Sequence, residues 1–317
     1  MEFLKNPNFD FIKWRWHALA LSLVVILAGA FQIATQGLPL GIDFSGGTLV
    51  VLRFDQAVEE GAVRRALESI PGDKIIQPYG AESDHQWLVR LPLEGSEQGG
   101  TLEQGAQRVI AGLKAANIGN FEVISQEVVG PIIGRDLQLK GIYATLASIA
   151  GITIYIGLRF RFAFAIGAIV ATLHDVLVTM AFLTFFHYDL SLNIVAAILT
   201  ITGYSVNDTI VIFDRVRENL RGMRRDSLEH VVNVSVNQTL GRTIITAGTT
   251  FLAVLALYLF GGEVLEGFAF TMLVGIISGT YSTVFIAAAI AIILSGKQAK
   301  ARATAGTKPA AGGRKAS

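Results

Sequence analysis

The sequence predicts a polytopic α-helical membrane protein with six transmembrane helices. A small ferredoxin-like α+β domain is placed outside the membrane, between the first and second helices. Three observations carry this reading. The chain is 52% apolar and only 16% charged, where a soluble protein carries about 25% charged residues. Six apolar runs are long enough, at about 1.5 Å per residue, to cross a hydrocarbon core. The one long hydrophilic region, about 100 residues and so the size of one small domain, alternates strand-like and helix-like segments in the order β-α-β-β-α-β.

Residues 1–15 form a short cytoplasmic lead with Lys5, Lys13 and Arg15, and the first span covers 16–36, with its apolar run from His17 to Thr35. A cleaved signal peptide shares the basic start and apolar centre, but this run is long for such a centre, so it is read as retained. Residues 37–136 are the outer domain. It opens on Gly41-Ile42-Asp43-Phe44-Ser45-Gly46-Gly47-Thr48, a glycine-rich turn at the membrane surface in which Gly41, Asp43, Gly46 and Gly47 form a structural motif. Thr48 to Phe54 alternates and is β-branched, as a strand should be. Val58 to Ile70 reads as a helix stopped by Pro71-Gly72. Lys74 to Tyr79 and Gln86 to Leu91 read as a strand pair, Thr101 to Ala116 as a second helix and Phe121 to Val129 as the last strand.

The remainder of the membrane domain, 137–295, holds five spans: Leu137 to Leu158, Phe162 to Phe186, Leu190 to Phe213, about Arg242 to Phe260, and Phe268 to Leu294. Between the fourth and fifth lies a cytoplasmic amphipathic segment, 214–236, with Arg215, Arg217, Arg221, Arg224 and Arg225. Asp226 to Glu229 resembles a capping box there, and Leu228, Val231 and Val232 give an apolar face expected to lie along the membrane surface. Residues 296–317 are a basic, Ala/Gly-rich tail expected to be disordered. Arg and Lys occur before the first span, between the second and third, between the fourth and fifth and after the sixth, and are absent from the other two short loops. That pattern places both termini in the cytoplasm and the α+β domain outside.

Composition also excludes chemistry. There are no cysteines, so neither disulfides nor thiolate metal sites are available. Gly46-Gly47 could suggest phosphate binding, but no GxxxxGKS/T motif exists in the chain, so a nucleotide of its own does not power it. No cofactor, metal, catalytic site or nucleic-acid partner is expected.

The candidate chemistry lies inside the membrane. The stretch Thr200 to Asn219 begins in an apolar run and ends among arginines. At helical spacing Thr200, Gly203, Tyr204, Asn207 and Asp208 share one stripe. An aspartate inside a span costs about 2.5–3.5 kcal/mol near the centre and usually faces protein or a water-filled path. The rival reading is a solvated aspartate at a frayed helix end, which the stripe argues against. Arg242 opens the fifth span, and Arg242, Thr246, Thr249 and Thr250 form a stripe of their own. Asp208 and Arg242 fall at similar depth on antiparallel helices and can pair; the alternative is that Arg242 snorkels to the interface. His174 and Asp175 sit halfway through the third span. They either extend a proton relay or hydrogen-bond across helices to fix packing. Gly275, Ser278, Gly279 and Ser282 give the sixth span a small-residue face suited to close helix packing.

Several blocks resemble the SecD/SecF family of membrane proteins: Gly41 to Thr48; Gly203-Tyr204-Ser205-Val206-Asn207-Asp208-Thr209; Phe213-Asp214-Arg215-Val216-Arg217-Glu218-Asn219; Asn237-Gln238-Thr239-Leu240-Gly241-Arg242-Thr243; and Phe260 to Phe268. The likeness covers nearly the whole chain except its tail. It is to the smaller, six-span members, themselves similar to half-units of the resistance-nodulation-division exporters. It implies obligate pairing with SecD, association with the SecYEG channel and with YajC and YidC, contact with the translocating preprotein, and a bacterial inner-membrane location. It further implies that the proton motive force helps secreted chains out on the far side after the ATP-driven step. Carried over by position, Asp208 is the proton-responsive aspartate and Arg242 its intramembrane arginine, with Asn207, Tyr204, Thr246, His174 and Asp175 as supporting polar groups. Gly241 stands where many relatives carry a larger or polar residue. A self-sufficient small-molecule exporter and a pure assembly factor are the competing functions.

Overall fold

The computed structural model describes residues 7–70, 74–80, 82–91 and 100–296. The expected helix stop at Pro71-Gly72 and the tail beyond 296 lie outside these residues. Six helices are long and apolar enough to cross a membrane. The first is α1 (Arg15–Gln36), followed by the one-turn α2 (Ile42–Ser45). The α+β domain then runs β1 (Gly47–Phe54), α3 (Glu60–Ala66), β2 (Ile75–Tyr79), β3 (Gln86–Leu91), α4 (Gly100–Ala116) and β4 (Phe121–Val129). The other five spans are α5 (Pro131–Arg159), α6 (Phe162–Phe185), α7 (Leu192–Gly222), α8 (Leu228–Phe260) and α9 (Glu263–Ser282). After α9 the helix continues through a π turn, Thr283–Ala287.

The sheet order is β2-β3-β1-β4 with all neighbours antiparallel, the ferredoxin-like arrangement that the β-α-β-β-α-β order predicts. Alternation along β1 sends Val50, Leu52 and Phe54 into a core with Val89 of β3, Val63 of α3 and Val109 and Leu113 of α4. The opposite sheet face, with Leu49, Val51 and Arg53, looks onto the ends of the membrane helices across a cavity of about 720 Å³.

The glycine-rich opening is not simply a turn: Ile42–Ser45 closes one helical turn, with the Ser45 Oγ donating to the Gly41 carbonyl at 3.0 Å. Gly46 and Gly47 then take φ of +71° and +128°, values open to glycine, so the chain can swing straight into β1.

In the membrane α6, α7 and α9 are central. Over their most apolar stretches 56%, 50% and 67% of residues are buried within the chain, against 6% for α5 and 11% for α8. The core of this bundle, including Phe164, Ala168, Val206, Phe213, Ala287 and Ala291, interleaves Val, Ile and Phe with alanines that let helices approach.

Residues 214–236 differ from the expected surface segment. Asp214 to Gly222 completes α7, and α8 begins at Leu228 and runs unbroken to Phe260. The apolar face that suggested a membrane-surface helix is the inner face of this αα-hairpin: Val231, Val232 and Val236 are buried together with Ile212, Phe213 and Val216. The N-cap is Ser227, whose hydroxyl accepts from the His230 amide at 3.3 Å, and Glu229 pairs with Arg15 at 2.7 Å instead of closing a box with Asp226. The lead before α1 is stitched to the same helix. Asn233 and Asn237 accept from the amides of Phe11 and Phe9, and both donate back to the Phe9 carbonyl.

Candidate ion-coupling site

α7 carries the site. Three of its threonines satisfy themselves along the helix: Thr200, Thr202 and Thr209 donate to the carbonyls of Ala196, Ile198 and Ser205. Asp208 has no such local solution. Its side chain is buried, at 4% exposure, and Oδ2 has no hydrogen-bond partner. An orphaned carboxylate oxygen in a membrane helix is costly unless a proton or a cation meets it.

The sequence-predicted stripe divides about this residue. Asp208 turns inward, whereas Thr200, Gly203 and Asn207 are exposed at the surface of the chain, with Tyr204 half-buried between. The Tyr204 hydroxyl lies near Thr250 of α8 without a hydrogen bond of ordinary geometry. Arg242 is exposed on α8. The expected contact pair is therefore not made: among the described residues no ion pair within 4.0 Å joins Arg242 to Asp208, although the guanidinium is near enough for its charge to act on the carboxylate. Thr246 is half-buried one turn on, and a side chain at Gly203, Gly241 or Gly248 would meet open space. Asn207 and Gly203 on α7 and Arg242 on α8 are thus polar or small residues exposed on a surface that lipid would otherwise cover.

His174 and Asp175, on α6, form a closed cluster. Asp175 is 1% exposed. Its Oδ2 accepts from Ser205 Oγ of α7 at 2.5 Å and Ser282 Oγ of α9 at 2.7 Å. Its Oδ1 accepts from Ser278 Oγ at 2.7 Å and lies 3.1 Å from His174 Nδ1. Sequence reasoning saw Ser278 and Ser282 as packing residues only. Their four-residue spacing on a helix crossing the His-Asp helix was the available signal, and it needed the crossing geometry to be read. The small face of α9 does pack within the chain: a Cβ on Gly279 would stand 3.0 Å from the Ser205 Cβ.

On the domain side, the motif residues anchor α7. Gly41 donates its amide to the Leu190 carbonyl and Leu190 donates to the Pro39 carbonyl, both at 2.7 Å. A Cβ on Gly41 would stand 2.9 Å from that Leu190 oxygen, which is why glycine is needed there. Asp43 Oδ2 accepts from the Leu192 amide at 2.8 Å, satisfying one of the unpaired donors at the start of α7. Arg90 of β3 forms an ion pair with Asp189 and also donates to the Leu40 carbonyl at 2.9 Å. Burial pushes the Asp189 carboxyl up from its ordinary range and the Arg90 charge opposes this. Tyr188 donates to Glu266 at 2.5 Å, and burial followed by that bond raises its hydroxyl far above the usual range. Arg90, Asp189 and Tyr188 were missed from sequence because each lies in an unremarkable loop or strand position.

Residues 109–297 match the family model described as "Protein export membrane protein SecD/SecF, C-terminal", and residues 33–58 match that of the SecD/SecF GG motif. The chain belongs to the SecD/SecF family. Among curated relatives it is 39% identical to the protein translocase subunit SecF of Escherichia coli O157:H7, covering 92% of this chain and 89% of that one. It is 41% identical to SecF of Desulfurispirillum indicum, with 91% and 92% covered. The crystal structure of SecDF from Thermus thermophilus, a translocon-associated membrane protein, superposes with a TM-score of 0.80 at 34% identity over 92% of this chain. SecDF in its super-membrane-facing form gives 0.69 over 96%. The chain spans about two fifths of those SecDF chains, 39% and 41%. The GG-motif match contains Gly41 and Asp43, which tie the α+β domain to the start of α7, and Gly46 and Gly47, which lead into β1.

Proposed function

We propose that this family member is the smaller subunit of a SecD/SecF translocase complex. It would use the proton motive force to assist Sec-dependent export on the outer side of the inner membrane, after the ATP-driven step. The observation that carries this is Asp208: a buried carboxylate with an orphaned oxygen on a central membrane helix that also exposes Gly203 and Asn207. In this reading both termini are cytoplasmic, residues 37–136 form the outer domain, and the five-span remainder 137–295 holds the coupling site. The larger subunit, SecD, covers Asn207, Gly203, Gly241 and Arg242. SecYEG, YajC, YidC and the exported chain are further partners of the assembled complex. Asp208 takes up and releases a proton, and Arg242 tunes it across the subunit boundary. The anchor made by Gly41, Asp43, Arg90 and Asp189 carries movement of α7 to the outer domain, so the protein works by motion and not by catalysis.

A proton crossing about 100 mV supplies roughly 2.3 kcal/mol, and one pH unit adds about 1.4. That is enough to reset a two-state helix arrangement and too little to pull a long chain in one stroke, so repeated cycles follow. The test is reconstitution with and without SecD, with proton flux measured beside export. Flux and stimulated export that both require the partner support the coupled subunit. Export of small molecules by the chain alone would make it an exporter, and stimulated export without flux would make it an assembly factor.

A further inference from the structure

Asp175 accepts four hydrogen bonds in a region where an uncompensated charge costs about 2.5–3.5 kcal/mol or more. An ionised carboxylate has about four acceptor positions, and here all are used: Ser205, Ser278, Ser282 and the His174 Nδ1 position. That arrangement suits the anion. The anion has no clean counter-charge, however. His174 is 6% exposed and its Nε2 has no partner. The groove beside it is mostly apolar, with Leu21, Val178, Phe182 and Ile277, and the hydroxyls of Ser22, Ser278 and Tyr281 on its lining make no bond to that nitrogen. A doubly protonated imidazole would bury an N–H donor there without an acceptor. The remaining way to neutralise the cluster is a proton on Asp175.

The cluster accommodates that state too. Ser282 Oγ has two acceptors, Asp175 Oδ2 at 2.7 Å and the Gly279 carbonyl at 3.2 Å, and one hydroxyl proton to give. With Asp175 ionised it donates to the carboxylate. With Asp175 protonated it accepts from Oδ2–H and turns its own proton to the Gly279 carbonyl, sharing an oxygen that already accepts from the Thr283 amide and hydroxyl. Ser282 thus keeps a partner in both states. The helix gives way to a π turn directly after Ser282, and such turns are frequent where helices do work.

On α7 buried hydroxyls flank Asp208 in the chain: Ser205, which donates to Asp175, lies three residues before it and Thr209 directly after it. Ser205, Thr209, Ser282 and Thr283 are all buried, and Thr209 and Thr283 lie 3.1 Å apart. Hydroxyls both donate and accept. We infer that Asp175 is a second proton-binding site of this membrane domain, exchanging its proton with Asp208 along these hydroxyls and switched by Ser282. Asp208 gives up the proton and Asp175 Oδ2 takes it; the reverse step returns it. Among the described residues the ionisable groups beside Asp175 are His174 on its own helix and, beyond it, Tyr281 of α9, stacked on that imidazole at 6.0 Å. On α7, Asp208 lies three residues after the Ser205 that donates to Asp175. α1 contributes Ser22, which donates to the Tyr281 hydroxyl at 3.2 Å.

The exchange rests on the proton-coupled reading of Asp208, and the test separates the two. In infrared difference spectra of the purified complex with SecD, taken across a pH series, the wild type should show, among its protonated-carboxyl bands, one from each of the two membrane sites. Asp208→Asn should remove one and Asp175→Asn the other. Ser282→Ala should displace the pH at which the Asp175 band appears by about one unit, tenfold in proton affinity. A spectrum unchanged by Asp175→Asn would overturn the second site and leave the cluster as packing. If that variant does not assemble, an unmoved Asp175 midpoint in Ser282→Ala overturns it equally. Loss of no band in Asp208→Asn would instead refute the coupling role of Asp208 and, with it, the exchange.

Discussion

Arg242 is exposed beside a buried carboxylate that its charge reaches without contact, so its value lies in charge and in the planar fork it can offer a neighbouring subunit. Arg242→Lys keeps the charge and loses the fork. It should lower gradient-stimulated export less than Arg242→Ala; equal losses would show that the fork, not the charge, is what matters. At the other end of α7, the Arg90 side chain is 7% exposed and its partner Asp189 is 28% exposed. Removing one member of such a pair strands the other, so Arg90→Ala should destabilise the contact by about 2 kcal/mol, between the values for exposed and fully buried pairs. A double-mutant cycle with Asp189→Ala measures it, and additive effects would mean that the pair contributes nothing. At this scale the sequence showed which side chains are expensive in a membrane and not what they touch. Asp208, Arg242, His174 and Asp175 stand out by residue type and position in an apolar run. The Ser205, Ser278 and Ser282 bonds, and the inward turn of Asp208 away from Asn207, depend on how three helices cross.

Among elements, the close approach of α9 to α7 depends on Gly279, where any Cβ meets Ser205 at 3.0 Å. Gly279→Leu forces the helices apart, at a cost of about 1–3 kcal/mol for an overpacked contact, and disturbs Ser205 in its bond to Asp175. A lower thermal midpoint of the purified chain is expected; an unchanged one would remove the packing role. The anchor between β3, α2 and the α6–α7 loop carries a pH signature. The Asp189 carboxyl is raised above its ordinary 3.8 in the folded chain, by burial more than Arg90 offsets. Its contribution to stability is therefore full below that ordinary value and is lost as pH rises through the raised one. After correction for intrinsic exchange, amide protection at Gly41 and Leu190 should fall over that window in the wild type and stay flat in Asp189→Asn. Short strand-like stretches were legible: β1 falls where alternation put it, and β3 and β4 lie at the expected Gln86 to Leu91 and Phe121 to Val129. The 214–236 segment was not, because an amphipathic helix looks alike whether its apolar side meets lipid or the neighbouring helix of a hairpin.

At the scale of the molecule, three helices form a buried centre while Gly203, Asn207 and Arg242 lie exposed and a Cβ at Gly203 or Gly241 would meet nothing. Length, hydropathy and strand order made the six spans and the ferredoxin-like domain legible, since each is a property of a single stretch of chain. The exposure of these residues was not legible, because only the assembled helices distinguish a polar stripe turned inward from one turned out. The central claim is that Asp208 couples a proton to export. Asp208→Asn keeps the shape and hydrogen-bonding capacity of the side chain and removes its proton exchange. The direct measurement is gradient-dependent export of a secreted chain into vesicles carrying SecD with either the wild-type subunit or this variant. Unaltered assembly with SecD together with loss of the gradient-dependent stimulation is the predicted result; full stimulation by Asp208→Asn would contradict the account.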